Sequence, residues 1–429
     1  MSAAPTARDR LLGALLVVAA TAAFALITGE AFRPRPGFVG DFTQDWLSAR
    51  EVLSGRPAYG DLPGALRRHF GAEPPADFLP WNAHPPGSVL LVLPFAQLSH
   101  HRAFFAWNLV TFPLFVVAVW LVAAELGPWR GGRAAGVAAG VAVLGVTCYP
   151  LHQQVVLGQF NALLAFLIAV AWVADRHDRW ALAGLAVGAA VAVKLFPALL
   201  LVYLVAAQRW RAAGVALLTA GALTGAAVAV LGADAFVTYA RDVVPAVSAK
   251  YATQWNNLSI SAFWGRLFTP TPESRVVAVA DAPLLGALLA GACRLAMWGA
   301  TVVAALGARS SEARDRAFAL VVVAMVLVSP IAWPHYFVLL VVPIGLLLAG
   351  LGRTRRRWPL LACLVVLWLP DTFVPALALG REFAERMSVH RHDPLTPERT
   401  LLVASVPFYA VLGLFLLLAC RPVPDTGRR

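Results

Sequence analysis

Two carboxylates four residues apart lie in the stretch Gly40-Asp41-Phe42-Thr43-Gln44-Asp45-Trp46. Such a pair beside aromatic rings can supply a general base that activates a hydroxyl. The same spacing also suits a solvated amphipathic helix, with Asp41 as its N-cap and Asp45 paired to Arg50 or Arg56. Further along, Val193-Lys194-Leu195-Phe196-Pro197 sets a cation against a proline break. Broken helices with buried cations mark ligand sites in membrane proteins, and phosphate is the natural anion for such a Lys; the alternative is a Lys that snorkels to lipid headgroups. Gln159 and Asn161, in Leu157-Gly158-Gln159-Phe160-Asn161, carry amides that suit sugar hydroxyls and equally suit helix caps or interhelical hydrogen bonds. Trp333, His335 and Tyr336, in Ser329-Pro330-Ile331-Ala332-Trp333-Pro334-His335-Tyr336, form either a stiff turn with a titratable imidazole or part of an aromatic belt. A fifth patch, Gln254-Trp255-Asn256-Asn257-Leu258-Ser259 with Arg266 beyond it, adds two amides and a guanidinium; its Asn257-Leu258-Ser259 sequon is too common to carry weight.

The elements that must position these groups are membrane helices. Of 429 residues, 59% are hydrophobic and 14% charged, against about 45–50% apolar and about 25% charged in soluble domains. That balance excludes disorder, a secreted disulfide scaffold and a cytosolic enzyme. The four cysteines, Cys148, Cys293, Cys363 and Cys420, sit far apart in or at the ends of apolar runs and read as small hydrophobes. No P-loop, GxGxxG with a ribose acid, HExxH or CxxC is present, so neither nucleotide-driven nor metalloprotease chemistry is supported, and no cofactor or metal is expected. The formal +12 could suit nucleic acid, but the positive-inside rule explains it better.

Apolar runs long enough for membrane helices recur at Leu11 to Thr28, Ala103 to Ala124, Ala134 to Tyr149, Phe160 to Ala174, Ala213 to Leu231, Pro283 to Leu306, Ala317 to Val328, Tyr336 to Leu351, Pro359 to Pro370 and Leu401 to Cys420. Ser88 to Leu98 is short for a span, and Ala181 to Ala206 is long, with Lys194 and Pro197 at its centre. Arg176 and Arg179 precede that second segment, and Arg209 and Arg211 follow it. If both flanks are cytoplasmic, the segment crosses twice, as a hairpin turning at Lys194 to Pro197 with the ammonium at the outer water boundary. A lone Lys at a helix centre costs about 2.5–3.5 kcal/mol on insertion scales, which the hairpin avoids. Ser88 to Leu98 then becomes an interfacial or re-entrant helix; in the rival topology it spans and Ala181 to Ala206 crosses once, and the count of basic residues on the inner side favours the hairpin.

The expected protein is all-α and polytopic, a single transmembrane domain over 1–429 with about 11–12 crossings. Outer segments span 30–102, 232–282 and 371–399, and a cytoplasmic tail spans 421–429. Both termini face the cytoplasm, and all five polar clusters face the outer side of the plasma membrane.

The order of the motifs is GDFTQDW with G-R-P-A-Y after it, H-P-P-G-S-V-L-L-V-L-P-F, G-Q-F-N, K-L-F-P followed by R-W-R, N-N-L-S and S-P-I-A-W-P-H-Y. It resembles the glycosyltransferase family 87 membrane enzymes of the GT-C superfamily, from about Val39 to Leu351. The resemblance implies a donor of polyprenyl-phosphate mannose, or in some members polyprenyl-phosphate arabinofuranose, and a glycolipid or glycan acceptor. It implies Asp41 as catalytic base with Asp45 in reserve, His335 assisting, and Lys194 on the donor phosphate, with Arg266 a second candidate there. Tyr59, His84, Gln159, Asn161, Asn256, Asn257, Trp333 and Tyr336 become candidate sugar or acceptor contacts. One departure is His84, which stands before Pro85-Pro86 where the family usually has an aromatic. A lipid transporter or flippase is the rival class, but transporters tend to repeat their broken helices in two halves, and the Lys194 break has no counterpart.

Overall fold

The computed structural model describes residues 29–32, 40–75, 78–126, 147–271, 275–349, 357–388 and 393–420. The apolar run Leu11 to Thr28, nearly all of Ala134 to Tyr149 and the tail 421–429 lie outside the described residues. Within them the chain is helical and forms no β-strand, only isolated bridges from Val276 to Thr271 and Leu395.

Three short helices build a cap: α1 (Asp41–Leu53), α2 (Leu62–Phe70) and α3 (Pro86–Val92). Helix α2 starts where Asp61 accepts the Gly64 amide at 3.0 Å, and it ends at Gly71 in the left-handed region. With seven residues, α3 is too short to span, in keeping with a re-entrant or interfacial place for Ser88 to Leu98.

The membrane part follows as α4 (His100–Leu126), α5 (Tyr149–Leu157), α6 (Asn161–Arg176), α7 (Trp180–Val193), α8 (Leu199–Ala206), α9 (Trp210–Leu231), α10 (Ile260–Phe268), α11 (Pro283–Leu306), α12 (Ser311–Val328), α13 (Val341–Ala349), α14 (Arg357–Trp368) and α15 (Val406–Ala419). Among the described residues only α4, α9 and α11 are individually long and apolar enough to cross; counting two bent pairs as spans brings the number to five. The expected spans at Leu11 to Thr28 and Ala134 to Tyr149 fall outside that count, and several others are realised as shorter or broken helices. Pro334 opens a 3-10 stretch before α13, and α15 is bent by 53° from the Pro397–Ala404 stretch before it. Helix α12 is buried on every side from Ala317 to Val328 and forms the centre of the core.

The Ala181 to Ala206 segment breaks as expected. Lys194 leaves helical geometry at φ −143°, ψ 146°, and Pro197 lies in a short 3-10 turn before α8. A Cβ on Gly184 would lie 2.5 Å from the Ala212 carbonyl oxygen, and one on Gly188 2.4 Å from that of Ala216. Contacts that advance together along both helices mean that α7 and α9 run parallel, so α8 must return between them. At the far end of α7, Arg209 pairs with Asp175 and Asp178, each at 2.8 Å. Both Arg-bearing flanks therefore lie at one end of the hairpin. Nearby, Arg176 joins Glu125 at 2.9 Å and Asp315 at 2.6 Å, tying α4, α6 and α12 together. Lys194 lies at the opposite end of α7, about 20 Å away for 14 helical residues.

Candidate active site

Helix α1 starts at Gly40, which is extended (φ −78°, ψ 176°), so Gly40 rather than Asp41 occupies the N-cap and Asp41 stands in the first turn. There the helix dipole favours its negative charge. The helix is not a solvated amphipathic one, because every residue from Phe42 to Ala49 is buried and Asp41 is only partly exposed. Nor does Asp45 pair with Arg50 or Arg56. Arg50 donates to the Ala96 carbonyl at 3.1 Å, and Arg56 forks onto Glu51 at 2.6 and 2.9 Å.

Asp45 is fully buried and saturated. Its carboxylate accepts from Asn82 at 3.0 Å and Ser88 at 2.9 Å, and its second oxygen meets His84 Nδ1 at 2.7 Å. The His84 carbonyl accepts from the Tyr59 hydroxyl, which pins the turn before the two prolines from behind. Held this way, His84 aims Nε2 at the Gln159 side chain, 3.4 Å from its Nε2. The two carboxylates thus have different surroundings: Asp45 orients an imidazole, while Asp41 faces outward.

Gln159 is the hub. It follows Gly158, which ends α5 in the left-handed region (φ +65°) and whose Cβ position lies 2.6 Å from Phe42 Cβ, so only glycine fits. The Trp107 indole donates to the Gly158 carbonyl at 2.9 Å, and Gln154 donates to that of Gln159. From this rigid turn the Gln159 amide donates to Asp41, and its oxygen accepts from Lys194 Nζ at 3.0 Å. Gln44 donates to the other Asp41 oxygen at 3.2 Å while accepting the Ala83 amide at 3.0 Å.

Lys194 is 4% exposed. It is therefore not at the water boundary, as the hairpin reading expects, but inside the protein. The hairpin reaches only far enough to leave the ammonium beneath the cap, where it also touches Asn161 Oδ1 at 3.3 Å and lies 4.8 Å from the Tyr336 ring centre. Tyr336 stacks on Phe196 at 5.4 Å, so the aromatic pair holds the break from the other side. Among the described residues no carboxylate touches the ammonium; Asp41 and Asp45 act on it only electrostatically, one amide away. His335 is buried beside Tyr336, close enough to feel both Lys194 and His84, and its Nε2 has no hydrogen-bond partner. Asn161 Nδ2 is likewise buried and unpartnered.

The structure thus brings Asp41, Asp45, His84, Gln159, Asn161, Lys194, His335 and Tyr336 together, with Tyr59 behind His84. The 254–257 patch makes no described hydrogen bond to Asp41, Gln159 or Lys194. The Asn257 amide is fully committed: it donates to the Tyr251 and Pro330 carbonyls and accepts from the Ser259 and Ala332 amides, so it splints this patch to the turn that carries His335. Trp333 packs edge-on against Tyr251 at 5.3 Å, Asn256 leaves its Oδ1 unpartnered, and Arg266 donates to the Gln254 and Asn257 carbonyls. None of the described hydrogen bonds links Arg266 to Lys194 or Asp41. Three working residues, Gln44, Asn82 and Ser88, are not candidates from sequence, although each lies in or beside a quoted motif.

A buried cation at a helix break is thus joined through one amide to a partly exposed carboxylate. The family model for glycosyltransferase family 87 matches residues 82–330, more than half of the chain. The chain belongs to glycosyltransferase family 87 and is a multi-pass membrane glycosyltransferase. Asp41, Asp45, Tyr59, Trp333, His335 and Tyr336 lie outside the matched interval. Over 339 residues, 75% of this chain and 72% of the relative, it is 29% identical to a polyprenol-phosphate-mannose-dependent alpha-(1-2)-phosphatidylinositol pentamannoside mannosyltransferase of Mycobacterium tuberculosis (strain CDC 1551 / Oshkosh). It is 28% identical, over 85% of its length and 84% of the relative, to a polyprenol-phosphate-mannose-dependent alpha-(1-2)-phosphatidylinositol mannoside mannosyltransferase of Mycobacterium tuberculosis (strain ATCC 25618 / H37Rv). A similarly named protein of Mycolicibacterium smegmatis (strain ATCC 700084 / mc(2)155) is 28% identical over 77% of this chain and 75% of its own length.

Proposed function

We propose that this protein transfers mannose from a polyprenyl-phosphate donor to a glycolipid acceptor in a single inverting displacement. The observation that carries this is the placement of Asp41 and Lys194 on the two ends of the Gln159 amide. A lipid-phosphate donor brings its own leaving group, so the protein needs one base for the acceptor hydroxyl and one cation for the departing phosphate. Asp41 is the group suited to the first task, being partly exposed at a helix N-terminus. Lys194 suits the second, because a buried ammonium without a contacting carboxylate favours an anionic ligand.

In the step itself the acceptor oxygen attacks the anomeric carbon, its proton passes to Asp41, and the bond to the phosphate oxygen breaks with both electrons on that oxygen. Lys194 balances the charge that develops there. The Asp45–His84 pair keeps Gln159 turned so that its oxygen faces Lys194 and its amide faces Asp41. His335 Nε2 and Asn161 Nδ2, buried and unpartnered, are the polar atoms left for sugar hydroxyls.

The Arg-bearing turns lie at the opposite end of α7 from Lys194. By the positive-inside rule those turns are cytoplasmic, the site opens on the extracytoplasmic side, and both termini lie inside. The test is to incubate membranes holding the protein with labelled polyprenyl-phosphate mannose and then with the arabinofuranose donor. Label entering a glycolipid from the mannose donor alone is expected; label from the arabinofuranose donor alone would overturn the choice of sugar.

A further inference from the structure

Arg266 lies in α10, with no described hydrogen bond to the cluster around Lys194, and is 1% exposed. Its Nη1 donates to the Gln254 carbonyl at 2.9 Å and the Asn257 carbonyl at 2.6 Å, which fixes the plane of the guanidinium. Its Nε and Nη2 have no partner. Those two nitrogens share the edge of the guanidinium that receives both oxygens of a carboxylate or phosphate. Among the described residues no carboxylate pairs with it; the titratable neighbour acting on it is Tyr409. A buried guanidinium clamped on one side and empty on its forked side is destabilising until an anion completes it.

Two more buried donors are unpartnered: Trp255 Nε1 and Thr400 Oγ1. Both are tied to the surroundings of Arg266 through neighbours in the chain. Trp255 follows the residue whose carbonyl holds the guanidinium, and it packs with Ala404 in a small cluster. Ala404 ends the π-helical turn Thr400–Ala404, and Tyr409 lies just beyond in α15. A cation, an indole N–H and a hydroxyl, with no acid among them, make a set that accepts an oxyanion. Its place at the 53° bend leading into the apolar helix α15 makes that oxyanion one carried by a lipid.

We propose that Arg266, Trp255 and Thr400 form a second anion site that binds a phosphate ester on a lipid, separate from the phosphate at Lys194. The separation rests on the proposed function, which gives Lys194 to the donor phosphate. The second site would then take the phosphodiester of a phosphoglycolipid acceptor, holding its sugar end toward Asp41.

The test is thermal melting of the full-length protein in detergent, titrated separately with dioctanoyl phosphatidylinositol, farnesyl monophosphate and inorganic phosphate. A ligand that binds the folded state raises the melting temperature saturably. Dioctanoyl phosphatidylinositol is expected to do so in the wild type, in Lys194→Met and in Asp41→Asn, and not in Arg266→Gln. Arg266→Lys, which keeps the charge but loses the fork, is expected to need at least tenfold more of the lipid for the same shift, and it serves if Arg266→Gln does not fold. A shift that persists unchanged in both Arg266 variants, or no shift from any probe in the wild type, overturns the site. An Arg266-dependent shift from inorganic phosphate alone overturns its assignment to a lipid; one from farnesyl monophosphate alone overturns the acceptor as its source. A shift lost in Lys194→Met but kept in Arg266→Gln places the lipid phosphate at Lys194, overturning the second site without touching the catalytic reading.

Discussion

Asp41 and Lys194 hold opposite ends of one amide: Gln159 donates to the Asp41 carboxylate and accepts from the Lys194 ammonium. The residues are far apart in sequence and come from the cap and a broken helix. Because the amide sits on a turn that only glycine can precede, their separation is set by backbone rather than by two flexible side chains.

Lys194→Met removes the cation and keeps the apolar stem. If Lys194 holds the donor phosphate, donor KM rises by about tenfold or more while acceptor KM changes little, since a charge-assisted hydrogen bond is worth about 1.5–3 kcal/mol. Steady-state transfer with each substrate varied in turn reads this. Equal donor KM in variant and wild type contradicts it.

Gly158→Ala adds a Cβ at a positive φ and 2.6 Å from Phe42 Cβ. The turn must shift, carrying Gln159 with it. We expect kcat to fall more than the melting temperature, because a small misplacement of reacting groups can cost about 100-fold in rate.

Asp45→Asn turns an acceptor into a donor facing Asn82, Ser88 or His84. The loss is about 1.5–3 kcal/mol of stability, seen as a lower melting temperature, with lower activity as His84 loses its orientation. An Asp45→Asn protein that melts like the wild type would show the buried network to be dispensable.

Much of this was readable from residue order. The motif string led to the family, and the Arg flanks led to a hairpin in the Ala181 to Ala206 segment, with the α7–α9 packing running parallel as that requires. The carboxylate roles were not readable. Asp41 and Asp45 have the same chemistry and sit one turn apart, and only the arrival of Asn82 and His84 from the turn before α3, and of Ser88 from α3 itself, ties one into a buried network and leaves the other open. Lys194 was misplaced at the water boundary for a similar reason. Local pattern reports the break at Pro197 but not that the cap closes over it. Asn257 looked like a ligand contact because its four hydrogen-bond partners are backbone groups, which no side-chain motif reveals.

The cap carries its own pH signature. Burial opposes ionisation of Glu51, but hydrogen bonds from Arg56, Arg68 and His69 outweigh it and hold the carboxyl at about 2, against an ordinary 4.5. A depressed carboxyl contributes stability that is complete above the unfolded value and is lost as pH falls toward the folded one. Melting temperature should therefore decline between pH 4.5 and about 2, and Glu51→Gln should flatten that decline while lowering stability at neutral pH. The same slope in the variant would assign the acid sensitivity elsewhere.

The assignment of Asp41 as the base is tested most directly by Asp41→Asn. The variant keeps the shape but leaves an acceptor oxygen for only one of the two donors, Gln159 and Gln44, so expression should stay near wild type and melting should fall only slightly. Transfer of labelled mannose from polyprenyl-phosphate mannose to glycolipid is expected to fall by at least 100-fold, the low end of what a positioned base contributes. Transfer at the wild-type rate by a folded Asp41→Asn protein would contradict the account.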